Sequence, residues 1–142
     1  MPNYCENELC VAGPGIAVSA FLQAVEGIGP IDFTKVIPEP DQLTDGNLCD
    51  WRTDHWGTKW NACDGIVLKD DTTTRGRKVT LSFETAWAPP LKVVEELVKK
   101  YRLLTFTLRY WEGGMQYQGT FKGSKGTLLK NERKEYKGRR GG

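Results

Sequence analysis

Apolar positions along the chain follow two periods, and the switch between them divides it into elements. From Tyr4 to Ala12, Leu9 and Val11 alternate with polar neighbours, the signature of a strand with one buried face. Gly13-Pro14-Gly15 breaks this run and opens a helix, in which Val18, Phe21, Leu22 and Val25 form one apolar stripe. Gly27 and Gly29-Pro30 stop the helix. Ile31, Phe33 and Val36-Ile37 then predict a short second strand, closed by Pro38-Glu39-Pro40. Farther on, Val79, Leu81, Phe83, Thr85 and Trp87 take one face of a strand, and Thr80, Ser82, Glu84 and Ala86 take the other. Pro89-Pro90 ends that strand and supplies a proline for the first turn of a second helix. Leu91, Val94, Leu97, Val98 and Tyr101 form that helix's stripe. Leu104, Phe106, Leu108 and Tyr110 alternate in a further strand, and Tyr117 to Phe121 predict one more, at an edge.

The predicted order is β-α-β, an insertion from about residue 38 to 77, then β-α-β-β. Two half-buried helices need one face of an antiparallel sheet to cover, and period-2 strands supply one apolar face each. This is the split βαβ pattern of an α+β sandwich, with two helices on one face and a long insertion between the halves. An α+β sandwich of different strand order satisfies the same periodicity. The insertion holds three of the five tryptophans, Trp51, Trp56 and Trp60, with His55, Lys59, Cys49 and Cys63. Each such ring buries upward of roughly 150 Å², so the segment is expected to fold back on the domain. The sheet's second face, bearing Ser82, Glu84, Thr107 and Arg109, is one landing place.

At 142 residues, 39% of them hydrophobic and 27% charged, the chain is one globular domain. No apolar run approaches the roughly 18 residues of a membrane span, and the first residues lack a signal-peptide pattern. Four cysteines in such a chain are expected as reduced thiols, and the expected compartment is the cytoplasm. The net charge of +2 conceals an asymmetry. From residue 130 onward, Lys130, Arg133, Lys134, Lys137, Arg139 and Arg140 face only Glu132 and Glu135, a balance of +4 that leaves −2 for residues 1–129. Residues 1–129 thus read as the domain and 130–142 as a basic, flexible tail.

Three stretches carry a family resemblance: Pro2-Asn3-Tyr4-Cys5-Glu6-Asn7 with Leu9 and Val11; Trp56-Gly57-Thr58-Lys59-Trp60-Asn61-Ala62; and Phe83-Glu84-Thr85-Ala86-Trp87-Ala88-Pro89-Pro90, continuing through Leu108-Arg109-Tyr110-Trp111-Glu112. They resemble the YubB-like ferredoxin-fold family, found on conjugative plasmids and in bacteriophages. The likeness runs to about residue 121, and Tyr4 stands where that family usually has tryptophan. It implies a ferredoxin-like sheet and a mobile-element setting. The family is of unknown function, so the likeness implies no activity and no catalytic residue.

The residues themselves favour binding over catalysis. Cys49 and Cys63 are separated by thirteen residues, far wider than the knuckles of structural zinc sites, and Cys5 and Cys10, separated by four, are close but would point to opposite faces of an extended strand; no metal and no cofactor is expected. His55 is the single histidine, and no nucleophile-elbow, phosphate-loop or paired-carboxylate signature accompanies it. Stacking aromatics of the RNA-recognition type are missing from the predicted open face, where Glu84 would repel phosphate. The basic tail offers weak, salt-sensitive nucleic-acid contact through Lys130, Arg133, Lys134, Lys137, Arg139 and Arg140, or is simply solvated. The candidate binding residues are therefore Trp51, His55, Trp56, Lys59, Trp60, Glu84 and Arg109, forming either an aromatic pocket or a second small core. The expected function is that of a non-enzymatic interaction protein of a mobile element. It would bind and modulate a host or element-encoded protein, a host-defence factor among them. Accessory nucleic-acid binding through the tail is the second reading, and a small-molecule binder or cryptic enzyme at the insertion is the third.

Overall fold

The computed structural model of the chain describes residues 3–135. β1 (Tyr4–Gly13) buries Cys5, Asn7, Leu9 and Val11 on one face and turns Tyr4, Glu6, Glu8 and Cys10 to the other. α1 (Gly15–Val25) starts at Pro14, whose carbonyl accepts from the Val18 N–H, and buries Val18, Phe21 and Val25. α2 (Asp45–Trp56) is capped by the Thr44 hydroxyl, which accepts from the Asn47 N–H. It ends at Gly57, whose φ of 88° is the left-handed conformation a glycine adopts without penalty. β2 (Cys63–Thr73) and β3 (Gly76–Ala86) form a hairpin. α3 (Leu91–Lys100) follows Pro89-Pro90 and buries Val93, Val94, Leu97 and Val98. β4 (Thr105–Glu112), β5 (Tyr117–Ser124) and β6 (Thr127–Glu135) complete the chain as a meander. Lys125 and Gly126, with φ of 54° and 78°, make the tight turn between β5 and β6, matching the twist of the strands they join.

The six strands form one antiparallel sheet in the order β2-β3-β1-β4-β5-β6. Register places Leu9 between Leu81 and Leu108, and Val11 between Val79 and Phe106. Those inward rows meet Phe21, Val25, Leu97 and Val98 in a single core, as the strand and helix periods require. Phe21 contacts Phe106 and Tyr101 edge-on at 5.3 and 5.2 Å. Among the described residues no helix is long and apolar enough to cross a membrane.

Three expectations fail here, each for a local reason. The segment 31–37 is not a strand: Phe33–Lys35 is a turn of 3-10 helix. Ile31 and Phe33 are buried as an alternating pair would be, but the Asp32 carboxylate accepts from the Thr34 N–H and hydroxyl and bends the backbone. Burial pushes the Asp32 carboxyl up, yet the Thr34 and Asn61 hydrogen bonds outweigh it and hold the group below its ordinary value. The true second strand, β2, lies inside the supposed insertion. It is an edge strand whose residues are almost all exposed, so it needs no period-2 apolar face and gives no such signal.

Most of the insertion also does not settle on the sheet's second face, which Trp60 alone of its three tryptophans reaches, against Tyr4. α2 lies beside α3, and Trp56 enters the main core. Finally, the basic segment does not leave the domain at residue 130. Lys130 to Glu135 are the last six of the nine residues of β6, paired with β5, so β5 is not the sheet's edge. All nine residues of β6 are exposed, and ladder hydrogen bonds with the tight turn hold a strand that hydrophobicity could not reveal.

Candidate functional site

Helices cover one face of the sheet; the other face carries no element among the described residues. Across its middle runs a trough of about 500 Å³ lined by Glu8, Cys10, Leu68, Lys69, Asp71, Lys78, Thr80, Thr107, Arg109 and Lys122. These positions are the outward residues of β1, β3, β4 and β5, closed on one side by β2. Lys69, Lys78, Arg109 and Lys122 outnumber Glu8 and Asp71, so the trough is locally cationic on an otherwise mildly acidic domain. The ion pairs of the described residues use other cations: Arg52 with Glu39, Arg77 with Asp70, Lys99 with Glu95 and Lys130 with Glu132.

Toward the start of β1 the same face changes character. Glu6 lies between Glu84 and Trp111, and Tyr4 stands opposite Ala86. Trp60 packs against Tyr4 with ring centroids 6.2 Å apart. Burial, with Asp64 and Glu6 nearby, raises the Glu84 carboxyl above its ordinary value. Cys63, Asp64 and Glu84 bring ligand atoms within 4.8 Å of one another, the one grouping among the described residues close enough to share a metal ion. Burial, Asp64 and Glu84 together raise the Cys63 thiol, so this environment disfavours its thiolate.

The expected tryptophan site comes apart on inspection of its members. Trp56 is 0% exposed, its Nε1–H donates to the Ile37 carbonyl at 3.0 Å, and its ring meets Phe33 and Trp51 edge-on. Trp51 is half-buried and stacks on exposed His55 at 4.5 Å. Because a carbonyl can only accept, the 2.8 Å contact between His55 Nδ1 and the Trp51 carbonyl places a proton on Nδ1. Lys59 is exposed, and its carbonyl accepts from Arg52. Trp60 alone of the three rings reaches the uncovered face, near Glu84's end, while Arg109 belongs to the trough. The structure thus separates core tryptophans from a sheet-face pair of charges, and aromatic count alone could not make that division.

The basic residues divide as well. By register Lys130 and Lys134 share the uncovered face with Lys122 and Gln118. Arg133 points the other way, its guanidinium 4.5 Å from the centroid of the Tyr117 ring and 5.7 Å from that of Tyr110. Lys137, Arg139 and Arg140 lie outside the described residues.

A polar cluster that sequence reasoning did not identify lies on the inward side of the sheet. Asn7, Thr85 and Glu112 are buried there beside Cys5, Tyr110 and Tyr117. Asn7 Nδ2 donates to the Thr85 hydroxyl at 3.0 Å, and the Glu112 carboxylate accepts the Gly114 and Met115 N–H groups at 2.7 Å each. The Tyr117 hydroxyl donates to the Trp87 carbonyl. Tyr110 lies across β5, where a Cβ at Gly119 would strike its hydroxyl; Arg133 is the charged group that interacts with that hydroxyl. Burial pushes the Cys5 thiol up to about 12, which makes it inert as a nucleophile at neutral pH. The signal was present: Asn7, Thr85 and Glu112 occupy inward positions of otherwise apolar alternations, and they belong to the stretches that carry the family resemblance. Asn7, Thr85, Glu112 and Tyr117 have hydrogen-bond partners, whereas the buried Tyr110 hydroxyl makes no hydrogen bond among the described residues. The cluster thus ties the ends of β1, β3, β4 and β5 together with one polar atom left over.

Known proteins agree with this architecture. A solved structure, protein api92 from Yersinia pseudotuberculosis, superposes with a TM-score of 0.73 over 97% of this chain and 99% of that one, at 10% sequence identity. Likeness at that identity establishes the fold. No curated protein matches the chain. The family described as the ferredoxin-like domain in Api92-like protein matches residues 55–140. With more than half of its length matched, the chain belongs to this family of ferredoxin-like domains, whose function is unknown.

Proposed function

We propose that the protein is a non-enzymatic binding module that docks a partner protein on the uncovered face of its sheet. The observation that carries this reading is the asymmetry of the layers: all three helices lie on one side, and the other exposes a trough of about 500 Å³ with mixed charge and flanking aromatic rings. Mixed charge with aromatic anchors suits a protein surface, because oppositely charged groups fix register while rings supply apolar contact. A binding role is further supported by the places of the reactive groups. Cys5 is buried and inert, and the only imidazole is committed to Trp51 on the other side of the molecule.

The scaffold we read as two interleaved βαβ halves, β1-α1-β2 and β3-α3-β4, with α2 elaborating the first crossover and β5-β6 extending the sheet. The strand order supports this. A cytoplasmic setting on a plasmid or phage, and interference with a host factor such as a defence protein, belong to the same reading and rest on the resemblance of the motifs. A second reading, accessory nucleic-acid contact, is favoured by Lys130 and Lys134, which β6 adds to the uncovered face.

The test is photo-crosslinking in native host cells. A benzophenone side chain placed at Thr107 or Ser82 is expected to give one discrete protein adduct that Arg109→Glu removes without lowering the melting temperature. The same probe at Gln23 of α1 or Lys99 of α3 should give none. Equal adducts from both faces, or adducts from the helices alone, overturn the proposal.

A further inference from the structure

Resting on that docking face, the geometry points to a partner segment of a particular kind: we propose that the trough receives an extended acidic peptide lying across the strands. Lys69 comes from β2, Lys78 from β3, Arg109 from β4 and Lys122 from β5, so the four cations are spread over five adjacent strands, with β1 at the centre. Four strand intervals of about 4.8 Å make a span of about 19 Å. An extended chain of seven residues spans six intervals of about 3.4 Å, about 20 Å in all, and sets four alternate side chains on one face. Carboxylates at every second position, about 7 Å apart, then fall within about 2 Å of the four cation-bearing strands, a mismatch that flexible Lys and Arg side chains absorb.

Local charge favours the same ligand. The trough holds four cations against two carboxylates, and the ion pairs of the described residues leave these four cations to solvent. An anionic segment gains from each, whereas Arg52, Arg77, Lys99 and Lys130 are already paired with carboxylates of this chain. Lys130, directly opposite Lys122 on β6, is paired with Glu132 and adds no free charge to the trough.

A peptide fits better than a nucleic-acid strand for two reasons. First, a phosphodiester backbone bears a charge at every unit and would meet Glu8 and Asp71, whereas a peptide can set a hydroxyl, an amide or a basic residue against them. Second, single-stranded nucleic acid is held by base stacking on aromatic rings, and no aromatic residue lines the trough. The rings of this face, Tyr4, Trp60 and Trp111, lie at its other end, on or beyond the row where Glu6 meets Glu84.

The experiment is fluorescence anisotropy at low salt with a fluorescein-labelled eight-residue peptide of alternating Glu and Ser. Its Lys-Ser counterpart and a single-stranded oligothymidylate of equal charge serve as comparators. The full-length protein is expected to bind the Glu-Ser peptide and not the Lys-Ser peptide. Arg109→Glu or Lys122→Glu should each weaken binding about tenfold, since an attraction becomes a repulsion. Lys99→Glu, on α3, should leave it unchanged, and all variants should melt as the parent does. Three results overturn the proposal: no binding of the Glu-Ser peptide, binding indifferent to Arg109 and Lys122, or tighter oligothymidylate binding with the same dependence on those residues. The last would make the trough a nucleic-acid site. Failure here with crosslinking from Thr107 intact refutes the acidic ligand and leaves the docking face standing; failure of both removes the face as well.

Discussion

Replacing Trp56 by alanine separates a core tryptophan from a binding tryptophan. The ring is fully buried, touches Phe33 and Trp51 edge-on at 5.6 and 5.7 Å, and lies under the Arg52 guanidinium at 5.4 Å. Deleting a buried ring of this size costs about 3–5 kcal/mol. The lost Nε1–H bond also leaves the Ile37 carbonyl without its donor, worth about 1 kcal/mol where water can partly replace it. A total of about 4–6 kcal/mol is a large part of the roughly 5–15 kcal/mol that holds a domain folded. It corresponds to a fall in melting temperature of roughly 10–20 °C for a chain of this length. Trp56→Phe keeps most of the ring and loses the donor, so it should cost about 1–2 kcal/mol. The assay is urea unfolding followed by far-ultraviolet circular dichroism, which does not depend on the altered fluorophore. A Trp56→Ala protein within about 1 kcal/mol of the parent would refute the core assignment. If it had also lost partner crosslinking, the aromatic-site reading of the sequence would be restored.

Glu84 faces Glu6 directly across two strands, and its carboxyl is raised by burial, Asp64 and Glu6. Its ionised form therefore opposes folding at neutral pH, and that penalty vanishes below the unfolded value near 4.5. Glu84→Gln should raise stability by about 0.2–1 kcal/mol at pH 7 and make no difference at pH 4, as read from paired urea midpoints. A lower midpoint at pH 7 would contradict the electrostatics. Cys5 is 0% exposed with its thiol pushed up to about 12 by burial, whereas Cys10, Cys49 and Cys63 are half-buried. Iodoacetamide at pH 8 followed by peptide mapping should therefore modify Cys5 last, and only as the protein unfolds; early labelling of Cys5 would place β1 outside the core.

The helices α1 and α3 and the strands β1, β3, β4 and β5 were legible because each must bury one face. Val18, Phe21 and Val25, or Leu81 and Phe83, repeat at the period their backbone imposes, and the same residues line the core. What carried no such constraint stayed hidden. β2 and β6 are edge strands exposed along nearly their whole length, so Ile66-Val67-Leu68 shows no alternation that would mark a buried face, and Lys130-Asn131-Glu132 looks like tail. Conversely, Ile31 and Phe33 imitate a strand, and a single carboxylate, Asp32, turns them into a 3-10 helix.

The candidate site shows the same division. The sequence alone placed Arg109 and Glu84 on the polar side of their strands, because period 2 leaves no other choice. It could not tell which faces were covered by what. Trp56 and Trp60 are equivalent to any reading of composition, yet one is sealed beneath helices and the other stands against Tyr4 on the open side. Lys69, Lys78, Arg109 and Lys122 are scattered over more than fifty residues of chain and become one trough only when strand order sets their strands side by side. Local periodicity fixes which way a side chain points; long-range pairing, which has no local signature, decides what it points toward.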